Sequence, residues 1–339
     1  MTIKQMHSVP STNNEFDEIV TIIEQARQRA FRAVNRELIE MYWQVGKYVS
    51  EKAKSNAWGK SIVQEFAAFV QTKYAGIKGF SAQNIWRMKQ FYETYAGNEK
   101  LSPLVRELPW TNNILIMVSA KTEEAREFYI NLSIKNGYSK RELERQLDSM
   151  LFERTMISNQ VNQLQLSKHE ELASLRDSYV LEFLDIPDGH SELDLQKAIT
   201  TNLKNFILEF GNDLSFIGEE YRLQVGNTDF FVDLLFYNRD LQCLVAIELK
   251  TEKFKPEHLG QLEFYLEALD RDVRKPNENP SIGLILCAAK DETVVEYALS
   301  RSMSPALIAE YKLHLPDKSV LENKLKELQA LYNENLDLQ

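Results

Sequence analysis

Two domains of different class are predicted: an all-helical N-terminal domain over residues 16–156 and an α/β domain with a mixed central sheet over 193–339, joined by a connector at 157–192. Three observations carry this prediction. Apolar residues recur at close to helical spacing through the first half of the chain. Around residue 230 the pattern changes to short apolar runs of strand length, FFVDLLFY and CLVAIELK. Charge also divides along the chain: residues 16–155 hold 21 Lys+Arg against 17 Asp+Glu, whereas residues 156–339 hold 18 against 32. A length of 339 residues gives each domain enough chain for its own core.

Residues 1–15, with Pro10, Ser11, Asn13 and Asn14, read as a disordered lead-in. A long helix follows, on which Ile19, Ile23, Ala26, Ala30, Val34, Met41, Val45 and Tyr48 keep close to a helical period. A second helix spans 60–74 and stops at Gly76. Ser81 is placed to cap AQNIWRMKQFYETY, which Gly97 closes. Thr122 caps a helix that ends at Gly137, and Ser139 with Glu142 fits a capping box opening the next. Within this region GFSAQNIWRMKQFY has the length of the second helix of a helix-turn-helix. Asn84, Arg87 and Lys89 would face outward and Ile85, Met88 and Phe91 inward. Asn and Arg read adenine and guanine edges bidentately, so these three are candidate DNA contacts. The same residues equally suit the wet face of a bundle helix.

The connector contains SNQVNQLQLSKHEELASL and then DIPDGHSE, whose Pro-Asp-Gly turn marks the start of the second domain. That domain reads helix (193–210), strand (216–225), a Gly226-Asn227 turn, a hairpin (229–250), helix (256–269), strand (281–288), helix (292–300), strand (307–315) and a closing helix (320–332). Strand–helix–strand order after the hairpin implies a mixed sheet with helices on both faces.

The hairpin holds the chemistry. A turn centred on Asp240 and Leu241 pairs residues whose numbers sum to 481, and Asp233 and Glu248 satisfy that sum. Directly opposed side chains in an antiparallel pair share a face, with Cβ atoms roughly 4.5–5.5 Å apart. Lys250, two residues beyond Glu248, points to the same face. Two carboxylates in apolar strands repel and resist burial unless a cation lies between them. Mg²⁺ is held typically by one or two carboxylates, waters and substrate phosphate. A salt-bridged sheet surface is the plainer alternative for the same three residues.

These residues carry a resemblance. Asp233, Glu248-Leu249-Lys250 and then Gln261-x-x-x-Tyr265 on the next helix resemble the PD-(D/E)XK nuclease superfamily in its RecB-like branch. VDLLFYNRDLQCLVAIELK and FKPEHLGQLEFYLEAL resemble the YhcG-like bacterial family more closely, and the likeness extends from about Phe16 to Leu331. It implies a restriction-endonuclease-like αβββαβ core and a winged-helix-like N-terminal region. It also implies Mg²⁺-dependent cutting of DNA, with Mn²⁺ as the other candidate ion. Asp233 and Glu248 would be metal ligands and Lys250 the catalytic lysine, with Gln261 and Tyr265 one helical turn apart and facing the site. A third acidic ligand is expected from the preceding helix, where Glu209 is the first choice and Glu220, just beyond, the second. One departure stands out: LPW is followed by Thr111, Asn112 and Asn113, where the family pattern suggests histidine.

Composition sets the remaining expectations. No apolar run approaches the roughly 18–20 residues that span a bilayer, and no secretory pattern opens the chain, so a cytoplasmic protein with no membrane partner is expected. Cys243 and Cys287 are expected as buried apolar residues, and the five histidines show no metal spacing. The net charge of −10 opposes a polyanion, so grip on DNA is expected in the N-terminal half. Homo-oligomerisation would supply two sites for two cuts in a duplex. The rival reading is a non-catalytic nucleic-acid- or protein-binding module that keeps the nuclease fold.

Overall fold

The computed structural model describes residues 12–55, 60–161, 175–300, 302, 304–323 and 325. The chain divides into two compact units, Met1–Arg145 and Gln146–Gln339.

All described regular structure in the first unit is helical. Helix α1 runs over Thr12–Lys54, so it takes in the last residues expected as a disordered lead-in; residues 1–11 lie outside the described residues. It is followed by α2 (Lys60–Lys73), α3 (Ala82–Tyr95), the short α4 (Leu101–Leu104) with a 3₁₀ turn (Val105–Glu107), α5 (Trp110–Ser119), α6 (Glu123–Asn136) and α7 (Lys140–Asp148), which crosses into the second unit. The capping logic of the sequence is present. Ser81 accepts from Asn84 N and Thr122 from Ala125 N, and Gly137 takes a left-handed φ of 63°. Ser139 and Glu142 make the reciprocal capping box.

The core of this unit joins Ile39, Trp43 and Val49 of α1 to Ile85, Met88, Phe91 and Tyr95 of α3 and Ile116 of α5. Trp43 and Trp110 each meet the Phe91 ring edge-on, at 5.8 and 5.2 Å. Gly46 allows this approach, because a Cβ there would lie 2.1 Å from the Met88 carbonyl oxygen. The apolar stripe expected along α1 is only partly buried: Ile19, Ile23, Val34 and Tyr48 are more than half exposed. The wing implied by a winged-helix-like region is absent among the described residues. Pro109, with its fixed φ, instead starts α5 as its N-cap.

The second unit contains α8 (Leu151–Val161), β1 (Ser178–Val180), a 3₁₀ turn (Glu182–Leu184), α9 (Glu192–Thr201), α10 (Leu203–Phe210), β2 (Leu214–Val225), β3 (Thr228–Asn238), β4 (Cys243–Lys253), α11 (Pro256–Asp272), β5 (Ile282–Ala289), α12 (Glu292–Leu299) and β6 (Ala306–Lys312). The strands form one mixed sheet of order β1-β6-β5-β4-β3-β2. The neighbours β2, β3 and β4 are antiparallel, and β4, β5, β6 and β1 are parallel. The helix before the hairpin, expected as one, is two: Thr200-Thr201 is a poor helical pair, and the Asn202 side chain bonds back to Ala198 O. The stretch expected as a connector is corrected as well. It holds the sheet strand β1, paired with β6, and α8 belongs to this unit because Arg154 donates to Ser178 O of β1. Residues 162–174 and most of the closing helix expected at 320–332 lie outside the described residues.

Each sheet face carries its own core. On one, Leu195, Ile199, Phe206 and Phe210 of α9 and α10 cover Phe236, Ile247 and Leu284. On the other, Leu259, Leu262, Tyr265 and Leu266 of α11 cover Leu235, Ala246 and Ile285. Cys243 and Cys287 are buried and unbridged.

Candidate active site

Strand register brings the acidic residues together. The β3–β4 ladder pairs Leu234 with Ile247 and Asn238 with Cys243, the register expected from the sequence. One step further the ladder gives way to a side chain: Asp233 Oδ2 accepts the Leu249 N–H at 2.7 Å. This bond fixes the Asp233 carboxylate at the point where β3 leaves β4. Asp233 is half-buried, and burial pushes its carboxyl above the usual range despite the Leu249 N–H and Lys250.

Glu248 lies one residue before Leu249 and is 1% exposed. Neither of its carboxylate oxygens has a hydrogen-bond partner. Lys250 Nζ stands 3.6 Å from Glu248 Oε2, within ion-pair range but longer than a hydrogen bond. Burial, then the Asp233 charge, push the Glu248 carboxyl up to about 8. For Lys250, burial acts downward, but Glu248, Glu192 and Asp233 together outweigh it and hold the ammonium above its ordinary range. A buried carboxylate with two unanswered oxygens is what a cation would satisfy. The all-oxygen donor set of Asp233 and Glu248 suits a hard divalent ion. Among the described residues no three Asp, Glu, His or Cys side chains form a ready-made metal group. The two carboxylates would therefore depend on water and phosphate for the remaining ligands.

Tyr265 and Gln261 lie on one face of α11. Gln261 Nε2 donates to the Tyr265 hydroxyl at 2.9 Å. Tyr265 is nearly buried, and burial first, then the Glu248 and Asp233 charges, raise its phenol against the opposing effect of the Gln261 bond.

Glu209 is corrected. It is 1% exposed on α10, but its Oε1 accepts from Arg154 Nη1 at 2.9 Å and from Val180 N at 2.9 Å, with Arg176 Nη1 at 3.9 Å. Its charge is neutralised by arginine, and it ties α8 and β1 to α10. Glu220 is nearer the mark. Glu219 pairs with Leu234 and Tyr221 with Val232, so the register sets Glu220 across from Asp233 on the side away from β4. Its φ of 45° breaks the ladder there, and its charge contributes to raising Asp233.

One residue went unnoticed in the sequence. Glu192, the first residue of α9, places Oε2 3.5 Å from Lys250 Nζ. Its signal was the capping box of Ser191 and Asp194, which starts a helix at Glu192 and not inside a connector. From the same helix, Gln196 Nε2 donates to Asp233 O at 3.0 Å.

The α3 residues belong to the first unit. The Asn84 side chain donates to Gly79 O at 2.6 Å and accepts from Trp110 Nε1 at 2.9 Å, so its amide is consumed within the fold. Lys89 pairs with Glu93 at 2.7 Å, and Arg87 is exposed. Asn112 and Asn113, in place of histidine, are buried, and each donates to backbone carbonyls.

Residues 172–326 match the YhcG PDDEXK nuclease domain, and residues 18–154 match the DUF1016 N-terminal domain. The Escherichia coli (strain K12) protein described as "Putative nuclease YhcG" is 31% identical over 359 aligned positions, covering 94% of each chain. The chain belongs to this YhcG nuclease family. A repair endonuclease from Pyrococcus abyssi is 18% identical over 39% of this chain and 50% of its own, with a TM-score of 0.26. As a YhcG family member the chain is of PD-(D/E)XK nuclease type, with a helical N-terminal region and a mixed-sheet α/β domain. Among the described residues no helix is long and apolar enough to cross a membrane.

Proposed function

We propose that this YhcG family member is a Mg²⁺- or Mn²⁺-dependent DNA endonuclease. The observation that carries the reading is Glu248: a fully buried carboxylate with neither oxygen hydrogen-bonded, opposite Asp233 one step beyond the Leu234–Ile247 pair and beside Lys250. Asp233 and Glu248 would hold the ion. When bound, it supplies positive charge to the phosphate oxygens and favours ionisation of the attacking water. The Leu249 N–H holds Asp233 in place, and the charged Lys250 orients the water and stabilises charge developing on the phosphate. Glu192 holds Lys250 toward the site, and Gln261 orients the Tyr265 hydroxyl. A bond from the water oxygen to phosphorus forms as one P–O bond of the phosphodiester breaks, and the leaving oxygen takes up a proton. The helical domain engages the nucleic acid, and two chains would supply the two sites that a double-strand cut requires. A cytoplasmic setting is part of the same proposal.

The test is cleavage of a panel of single-stranded, duplex and branched DNA by the full chain and by Glu248→Ala. Metal-dependent cleavage by the parent, lost by about 100-fold or more in the variant, is the expected outcome, by analogy with removing other transition-state electrostatics. Undiminished cleavage by Glu248→Ala would sink the site assignment. One observation favours a second reading, a DNA-retaining module without catalysis: residues 156–339 carry 32 Asp+Glu against 18 Lys+Arg, a poor surface for a polyanion. Binding of DNA by the parent, with no cleavage in any metal, would favour it.

A further inference from the structure

The most concentrated positive charge in the first unit is on α1. Between Gln25 and Arg36 there are four arginines, Arg27, Arg29, Arg32 and Arg36, and no Asp or Glu. Arg29, Arg32 and Arg36 follow i, i+3, i+7 spacing and so share one face of the helix. All three are exposed, and with Glu37 and Glu107 they line a cleft of about 750 Å³. Arg36 is paired with Glu107. Arg106, the next residue back from Glu107, is held by Glu40 at 2.6 Å and lies over the Trp43 ring at 4.6 Å. No hydrogen bond or ion pair commits Arg29 or Arg32 among the described residues. On α3 the position is reversed, since Asn84 and Lys89 already have partners.

We propose that Arg29 and Arg32 of α1 grip the phosphate backbone of duplex DNA; this rests on the reading of the chain as a DNA nuclease. Guanidinium forks match phosphate oxygens bidentately and keep their charge at any working pH. The chain carries a net charge of −10, so attraction of a polyanion has to come from a local patch, and the three cleft arginines outnumber its two carboxylates, Glu37 and Glu107. Four like charges in so short a run oppose a parallel second copy on the same face. Phe31 and Val34 of the same helix, about 70% exposed, are the apolar alternative for such a copy. A phosphate grip reads no bases, so it would hold any duplex sequence.

The experiment is fluorescence anisotropy of a labelled duplex of about 30 base pairs with the full chain, in EDTA, from about 50 to about 200 mM salt. The parent is compared with the double variant Arg29→Gln/Arg32→Gln and with Arg87→Gln. Each lost phosphate contact removes about 0.9 from the salt slope, so the double variant should lose about 1.8 and bind about tenfold or more weakly at low salt. Arg87→Gln should match the parent. An unchanged slope and affinity in the double variant overturns the proposal, as does a loss seen only in Arg87→Gln, which would move the grip to α3. A change of sedimentation from dimer to monomer in the double variant also overturns it, in favour of a second copy. A parent that cuts DNA when Mg²⁺ is supplied, but whose binding in EDTA ignores the double substitution, overturns this surface alone. A parent that neither cuts nor binds overturns the nuclease reading with it.

Discussion

Glu248 concentrates the energetics of the site in one side chain. Its carboxyl is pushed up to about 8, far above the ordinary carboxylate range, so the folded protein binds that proton more tightly than the unfolded chain. The sign follows. A raised folded pKa contributes stability that is present at low pH and lost as pH rises through about 8. Asp233, also raised, acts in the same direction, whereas Lys250, held above its ordinary range, titrates at still higher pH. In EDTA, Tm should therefore fall between about pH 5 and about pH 8, and Glu248→Gln should flatten that fall. Mg²⁺ should reverse it, because a cation between the carboxylates favours their charged forms, so the gain in Tm on adding Mg²⁺ should be larger at the alkaline end. Scanning calorimetry across pH, with and without Mg²⁺, checks all three. A Glu248→Gln variant with the parent's pH profile would mean that the buried carboxylate is not the titrating group.

At the scale of elements, two ties make separable predictions. The Arg154–Glu209 pair joins α8 to α10, and both side chains are almost wholly buried. Removing one partner of such a pair strands the other charge, so Glu209→Gln should cost about 3–5 kcal/mol in urea unfolding. Metal affinity of the folded variant should be unchanged; a loss of metal binding without a loss of stability would restore Glu209 as a ligand. In the first unit, Asn84→Ala removes hydrogen bonds to Gly79 and Trp110 and should cost about 1–3 kcal/mol. DNA affinity should be unaffected in that variant, and weaker binding at parental stability would return Asn84 to the DNA surface.

These two elements also mark where the sequence was readable and where it was not. The hairpin was readable because alternation and turn position fix register without reference to the rest of the chain, and Leu234 does face Ile247 as the numbering required. The caps at Ser81, Thr122 and Ser139 were readable for the same local reason. Glu209 misled because a lone carboxylate in an apolar run looks the same whether it awaits a metal or an arginine. Its partner Arg154 lies 55 residues away in sequence. Glu192 was missed because a capping box beside a Pro-Asp-Gly turn reads as an entry to a domain, and its approach to Lys250 is tertiary. The wing came only with the resemblance and not from any strand pattern in residues 16–156, and the described residues there are helical.

For the whole molecule, we propose metal and bond cleavage in the second unit and grip on the backbone in the first. The division of charge along the sequence agrees with it: net positive over residues 16–155 and net negative over 156–339. An acidic catalytic unit is reasonable if its carboxylates are partly neutralised by cations and its substrate is retained elsewhere. Raising salt should then weaken DNA affinity steeply while leaving metal affinity nearly unchanged, since the two carboxylates are desolvated and screened little. The central claim is that Asp233 and Glu248 together hold the ion that makes the chain a nuclease. Isothermal calorimetry with Mg²⁺ and Mn²⁺, for the parent and for Asp233→Ala in the presence of DNA, tests it most directly. The expected result is metal binding by the parent, its loss in Asp233→Ala, and metal-dependent cleavage that disappears with it. Metal binding and cleavage that both persist in Asp233→Ala, or a parent that takes up neither ion with DNA present, would contradict it.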